Sequence, residues 1–223
     1  MIESENLKNQ TLREQIKTAV SYALTFATEP WLEVSRGKGC GNFYGPENKP
    51  GTDCPCGCGK LEEAYPVRET TRYIRNEISK PNEIALIVKK EARIVAFGWG
   101  YVETGMEFAN DKYKKSDDKT KKSIANLVGS DRVVFYLSEF GVVSEERNKG
   151  LGKEITQKVI DEASKLNLPF LMRTNRSSFM ARIARNLEMI PIMGTDPNDL
   201  NYPNDPITPP DPENGERILF YKE

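Results

Sequence analysis

Three groups of residues in this chain have types and spacings that can do chemistry. The first is Arg147-Asn148-Lys149-Gly150-Leu151-Gly152, which follows an apolar run, Val133 to Val143, and opens a run with helical period, Leu151 to Leu166. A strand, a glycine-bearing turn and a helix N-terminus, in that order, make an anion site. The first backbone N–H groups of a helix have no intrahelical partner, and the macrodipole places partial positive charge there. Gly150 and Gly152 let a ligand approach the backbone. Arg147 and Lys149 add formal charge, so the natural ligand is a phosphate or pyrophosphate. The second group is Glu139, a carboxylate inside an otherwise apolar strand, costly unless it is paired or faces a wet cleft. The third is Cys40, Cys54, Cys56 and Cys58, four thiols within nineteen residues. They can supply four thiolates to a structural zinc, although single-residue spacing is tight for one tetrahedron. Free reduced thiols or a disulfide are the alternatives.

Composition removes several classes. The chain contains no histidine, which excludes His-based catalysis and His metal ligands. A general base must then be Glu, Asp, Tyr, Cys, Lys or water. With 32 basic and 33 acidic residues among 223, the net charge of -1 gives no reason to expect nucleic acid or an anionic membrane as a partner. No apolar run approaches the roughly 20 residues of a membrane span. The acidic, polar start, Met1-Ile-Glu-Ser-Glu-Asn, does not read as a secretory signal, so a cytoplasmic protein is expected.

Several elements must position these groups. Thr11 to Ala27 reads as an amphipathic helix, with Leu12, Ile16, Val20 and Leu24 recurring every four residues beside Ala19, Ala23 and Ala27. A second helix is expected from about Val67 to Ile78, with Val67, Thr71, Ile74 and Ile78 on one face. Residues 34–62, rich in Gly, Pro, Asn and Lys, read as an irregular inserted loop. Ile84 to Val88 and Arg93 to Val102 read as a hairpin. Residues 104–131 read as a solvated polar excursion with at most a short helix at Ser123 to Val128. Val133 to Val143 reads as a central strand buried on both faces. The helix after the turn turns Leu151, Ile155, Val159, Ala163 and Leu166 inward. Then come a strand, Phe170 to Thr174, a helix capped by Ser177 or Ser178, Phe179 to Leu187, a short strand, Ile190 to Met193, and a last strand, Arg217 to Lys222. Residues 194–215 hold prolines at 197, 203, 206, 209, 210 and 212 and are expected to be a long loop. No N-terminal strand is evident.

Two phosphate motifs fail on this turn. A P-loop needs glycine where Arg147 stands and Ser/Thr where Glu154 stands, and a dinucleotide fingerprint needs Gly-x-Gly-x-x-Gly. The turn does match Arg/Gln-x-x-Gly-x-Gly/Ala, and the chain resembles the GNAT superfamily of N-acetyltransferases. The resemblance is strong over about residues 132–193, weaker over 11–102 and absent from the cysteine and proline loops.

This resemblance implies a single α/β (mixed α+β) domain over residues 1–223, with a central mixed sheet splayed at an acetyl-coenzyme A site and flanked by helices. It implies that the pantetheine arm pairs with Phe140, Gly141, Val142 and Val143. The pyrophosphate would lie on Arg147, Asn148, Lys149, Gly150, Leu151, Gly152 and Lys153. Asn175 matches an asparagine the family often uses near the pantetheine; as a residue it reads equally well as a helix cap or turn. The implied reaction is direct attack of an amine on the thioester in a ternary complex, with Glu139 the candidate to accept the amine proton, often through water. The tyrosine that commonly protonates the departing thiolate falls at Ala184, leaving Ser178 or water. The acceptor is an amine of a small molecule or a protein, and a homodimer is compatible with this reading. The alternative is a catalytically silent acyl-coenzyme A binding or sensing module.

Overall fold

The computed structural model describes residues 4–195 and 198–223. Met1 to Glu3 and Pro197, on which two of the expectations above rest, lie outside the described residues. The resemblance implies a mixed central sheet, and the sheet is mixed but mostly antiparallel, with strands in the order β1 (Ser4–Asn6), β5 (Ile84–Lys90), β6 (Arg93–Thr104), β7 (Val133–Val142), β8 (Phe170–Asn175), β10 (Arg217–Lys222), β9 (Ile190–Met193). Among the described residues no helix is long and apolar enough to cross a membrane.

The chain divides into two compact units. The first comprises residues up to Ser79, Ala85–Trp99 and Glu139–Lys158. It opens with β1 (Ser4–Asn6), which pairs antiparallel with β5 (Ile84–Lys90). A strand of three polar residues has no alternating pattern to announce it, which is why the sequence conceals it. Helix α1 (Leu12–Phe26) is capped by Thr11, whose hydroxyl accepts from Glu14 N. Its apolar four-residue stripe does not form the buried face: Leu12, Ile16, Val20 and Leu24 are 40 to 54% exposed. The inner face is instead Gln15, Thr18, Ala19, Ser21, Tyr22, Thr25 and Phe26. Those hydroxyls can be buried because each finds a carbonyl: Thr18 bonds Glu14 O, Ser21 bonds Ile94 O and Thr25 bonds Ser21 O. The aromatic pair then packs with Ile74, Phe97 and Trp99 in one core cluster.

Residues 34–62 are not wholly irregular. They contain a small sheet in the order β3-β2-β4, made of Phe43–Tyr44, Ser35–Gly37 and Leu61–Glu63. Helix α2 (Val67–Glu77) follows Pro66 and buries Thr70, Thr71, Ile74 and Glu77, while Val67 is exposed. The hairpin appears as expected, β5 turning into β6 (Arg93–Thr104) through Glu91, whose φ is 57°. A second cluster joins Val88, Val95 and Ala96 to Val142, Val143, Leu151 and Ile155.

The second unit comprises Lys80–Ile84, Gly100–Ser138 and Val159–Glu223. Here the expectation of a solvated excursion is overturned. Residues 104–131 form α3 (Gly105–Lys112) and α4 (Asp118–Val128), and Phe108, Ala109, Tyr113, Ile124, Ala125 and Val128 are core residues with Tyr101, Val134 and Leu171. Two local signals underlie the helices. Thr104 and Glu107 make a reciprocal capping box, and Asp117 caps α4 through Thr120 N. The abundant lysines covered a sparse apolar face that only its tertiary partners make intelligible.

Strand β7 (Val133–Val142) is the fourth of the seven, central as expected. Its parallel pairing with β8 (Phe170–Asn175) joins Phe135–Leu137 to Phe170–Met172. Helix α6 (Phe179–Asn186) is capped by Ser178, and β10 (Arg217–Lys222) lies between β8 and β9 (Ile190–Met193). The described part of the proline loop has no helix or strand, but it is not merely solvated. Its Asp211 is buried and takes two hydrogen bonds from Arg173, at 2.7 and 2.8 Å, and one from Tyr113 at 3.1 Å.

Candidate active site

The end of β7, the turn after it and the start of α5 (Leu151–Ser164) all lie in the first unit. The chain leaves β7 through a 3₁₀ turn, Ser144–Glu146. It then alternates: Asn148 has φ 62° and Gly150 has φ 81°, both left-handed. Such alternation turns successive N–H groups toward one side, the concavity in which anions sit. Glu154 N is bonded to Gly150 O at 3.1 Å. The N–H groups of Leu151, Gly152 and Lys153 come before it and have no helical acceptor, as at any helix start. Gly150 is required here by its dihedral and not by crowding, because an added Cβ would meet nothing within 4 Å. Gly141 is required for the opposite reason: a Cβ there would lie 2.3 Å from the Phe97 ring.

The charges around the turn are arranged differently from a simple reading of the motif. The Arg147 side chain folds back onto the end of α1. Its Nε donates to Val142 O at 3.0 Å, Nη1 to Glu29 O at 2.5 Å, and Nη2 to Thr25 O at 3.1 Å and Thr28 Oγ1 at 2.8 Å. Lys149 is paired with Glu146 at 3.1 Å, and Glu146 also takes Lys90 at 2.8 Å. The Lys90 and Lys149 hydrogen bonds hold the Glu146 carboxyl below its usual range. Lys153 is exposed, with no ion pair among the described residues, and is the cation at the helix start that remains available. Of the strand residues expected to line a pantetheine arm, Val142 and Val143 point into the core. Val143 N–H is taken by Val95 O at 3.1 Å, while Phe140 is half-buried against the same cluster.

Glu139 is half-buried near the end of β7, and Tyr73 of α2 donates to its Oε1 at 2.7 Å. Tyr73 exposes 36% of its surface, but its hydroxyl end is crowded by protein. Tyr22 of α1 lies close enough for the charge of Glu139 to bear on its phenol. Both phenols are held well above their usual range, first by burial and then by the charge of Glu139, so they stay protonated, and Tyr73 donates to the carboxylate. Tyr65 packs edge-on against Tyr22 at 5.0 Å and donates to Glu33. The result is a carboxylate walled by aromatic rings from two helices. The sequence singled out Glu139 but neither tyrosine. One signal was present: Tyr22 and Phe26, four apart, mark the buried face of α1 that the aliphatic stripe disguised. Trp99 adds a fully buried indole N–H with no acceptor among the described residues.

In the second unit, Asn175 ends β8 and its Oδ1 accepts from Ser177 N at 2.9 Å and Ser177 Oγ at 2.7 Å, forming an Asx turn. Ala184 is fully buried in α6. Ser178 Oγ is occupied by Ala181 N at 3.2 Å and Thr174 Oγ1 at 2.8 Å. In the first unit, Cys40, Cys54, Cys56 and Cys58 converge, with their sulfurs all within 4.8 Å of one another.

The model of the acetyltransferase (GNAT) family matches residues 57–179, more than half of the chain, and the chain belongs to that family. No curated protein sequence matches it. Among solved structures it is similar to PH1933 from Pyrococcus horikoshii OT3, at 14% identity over 100% of this chain and 98% of that one, with a TM-score of 0.55. It is similar to the Drosophila melanogaster polyamine N-acetyltransferase that forms N-acetylagmatine, at 13% identity over 100% of both chains, TM-score 0.53. It is also similar to the PaiA N-acetyltransferase of Thermoplasma acidophilum in complex with coenzyme A, at 10% identity over 100% and 99%, TM-score 0.51. At these identities the likeness is one of fold.

Proposed function

We propose that this protein transfers the acetyl group of acetyl-coenzyme A to an amine that arrives as a cation. The observation that carries the reading is the Asn148–Gly150 turn at the start of α5, with left-handed dihedrals at both positions and, just beyond, the first N–H groups of the helix, which have no intrahelical acceptor. The pyrophosphate would rest on the N–H groups of residues 148–153, with Lys153 supplying charge and Arg147 holding the turn against α1. An acceptor ammonium suits the Glu139 region, where a carboxylate and the faces of Tyr22 and Tyr73 attract a cation. Glu139 would take the proton from the bound ammonium through water. The free amine would then attack the thioester carbon, the attacking nitrogen would give up its second proton to water, and the tetrahedral intermediate would collapse to the amide and the coenzyme thiolate, which leaves as the anion and is reprotonated from solvent. Membership of the family supports acetyl transfer, while the acceptor class rests on these residues alone.

A silent acyl-coenzyme A binding module is favoured by one observation: fully buried Ala184 stands where the family commonly places its acid. Coenzyme release measured with a panel of diamines, arylalkylamines and amino-terminal peptides separates the two. Turnover with a cationic amine is expected, and binding of acetyl-coenzyme A without release on any amine would leave the module reading in place. At about 100 times its dissociation constant the coenzyme adds roughly 2.7 kcal/mol, which raises the melting temperature by about 5–11 °C in a protein of this size. A melting curve indifferent to millimolar acetyl-coenzyme A would end both readings.

A further inference from the structure

The four cysteines lie in a segment that cannot hold itself together by apolar packing. Between Val34 and Glu63 the buried apolar side chains are Cys54 and Leu61. Strands of three, two and three residues are too short to be stable on that core. Small folds of this kind use a disulfide or a metal as a staple. The sulfurs are free thiols, with Cys40 and Cys54 at 3.8 Å and Cys54 and Cys56 at 3.2 Å, well beyond a disulfide bond. Four sulfurs at about 2.3 Å from one ion in a tetrahedron stand about 3.8 Å apart. The observed cluster, within 4.8 Å throughout, is close to that spacing.

The backbone is shaped around the sulfurs. A Cβ on Gly37 would lie 2.4 Å from Cys40 Sγ and 3.0 Å from Cys54 Sγ, and one on Gly39 would lie 3.0 Å from Cys58 Cβ. The tight Cys-x-Cys-x-Cys spacing is resolved by a reversal. Gly57, with φ 77°, donates to Cys54 O at 2.8 Å, and Cys54 N donates to Gly59 O at 2.7 Å, so Cys56 and Cys58 come back to the same point as Cys54. A hydroxyl also reaches the sulfurs, that of Tyr44, 3.2 Å from Cys54 Sγ and 3.8 Å from Cys40 Sγ. A hydroxyl held against a ligand sulfur is the kind of outer contact that orients the ligands of a metal site. Four sulfur ligands in a tetrahedral set suit zinc, and such a set leaves no open position for catalysis.

We propose that Cys40, Cys54, Cys56 and Cys58 bind one zinc ion as four thiolates and that this ion folds residues 34–63 into the wall beside α2. The wall is joined to α2 by Arg36, which bonds Glu62 of β4 at 2.8 Å and Glu69 of α2 at 3.4 Å. Phe43 stacks on Tyr65 at 5.5 Å, and Tyr65 packs on Tyr22 beside Glu139. Zinc therefore fixes one of the rings proposed to face the acceptor amine; that consequence, unlike the metal site itself, rests on the proposed function.

The test uses the full-length protein. Elemental analysis after purification without chelator should find about one zinc per chain, and cobalt exchange should give the intense visible absorption of a tetrahedral thiolate site. Tyr44→Phe, which keeps all four ligands, should weaken zinc by about 10- to 100-fold in competition with a chromogenic chelator. Chelation of the wild type should speed hydrogen exchange in residues 34–63 while residues 132–193 keep their protection. Metal-free protein that takes up neither zinc nor cobalt, or iron in place of zinc, would overturn the assignment. Unchanged exchange in residues 34–63 on zinc removal would overturn the folding role. Zinc with no effect on turnover would remove only the link to the acceptor wall.

Discussion

Replacing Arg147 distinguishes a phosphate ligand from a structural clamp. The motif invites the first view, in which the guanidinium binds pyrophosphate. The structure spends it otherwise, on Val142 O, Glu29 O, Thr25 O and Thr28 Oγ1. Hydrogen bonds from a charged donor contribute about 1.5–3 kcal/mol each when buried. Arg147 is only half-buried, so water replaces much of what Arg147→Ala removes, and about 2–4 kcal/mol in total is the reasonable expectation. At about 2–4 °C per kcal/mol, the ligand-free protein should melt on the order of 10 °C lower. Arg147→Lys keeps the charge but cannot span four acceptors in a fork, so it should recover less than half of the loss. The assay is thermal melting without coenzyme, paired with acetyl-coenzyme A titration at two salt concentrations. Unchanged ligand-free melting in Arg147→Ala, with weakened binding restored by Arg147→Lys, would refute the clamp and return Arg147 to the pyrophosphate.

Other outcomes follow from the same geometry. Glu139→Gln should lower turnover by about 10²- to 10⁴-fold near neutral pH, with the loss shrinking as pH rises toward the amine's own pKa and coenzyme affinity little changed. Lowered melting with unchanged turnover would remove Glu139 from the mechanism. Tyr73→Phe removes a donor 2.7 Å from that carboxylate and should move the acid limb of the pH–rate profile to higher pH; an unmoved limb would show that the hydrogen bond plays no part. Gly150→Ala should cost about 1–2 kcal/mol from its left-handed dihedral alone, whereas Gly150→Asp should also abolish coenzyme-dependent stabilisation. Equal coenzyme binding by both variants would argue against an anion at this turn. Burial raises the Asp211 carboxyl, but the Arg173 hydrogen bonds and charge outweigh it and hold the group below its usual range. A depressed carboxyl stabilises the fold above its unfolded value near pH 4. That stability should fade as pH drops from about 4 toward the folded value, and Asp211→Asn, which strands Arg173 in the interior, should cost about 3–5 kcal/mol at neutral pH. A pH–stability curve that is the same in wild type and Asp211→Asn below pH 4 would contradict this assignment.

Local order was legible wherever it is set by neighbours in sequence. The Arg-x-x-Gly-x-Gly turn, the apolar β7 before it, the inward face of α5 and the β5–β6 hairpin all depend on periodicity and on residues that alone fit certain dihedrals. The four cysteines stood out by number, but their single-residue spacing looked tight for one site, and only the reversal at Gly57 brings their sulfurs within 4.8 Å of one another. What the sequence withheld depends on long-range partners. The aliphatic stripe of α1 suggested the wrong face, because Thr18, Ser21 and Thr25 become buriable only when carbonyls are at hand to receive them. Residues 104–131 looked solvated because their few apolar side chains gain burial from strands far along the chain. Arg147 carries the same charge whether it faces solvent or α1, and only tertiary packing, which brings Thr25, Thr28 and Glu29 to it across more than a hundred residues, decided which. Glu139 met Tyr22 and Tyr73 for the same reason: a side chain's type is local, but the partners that set its chemistry are chosen by the fold.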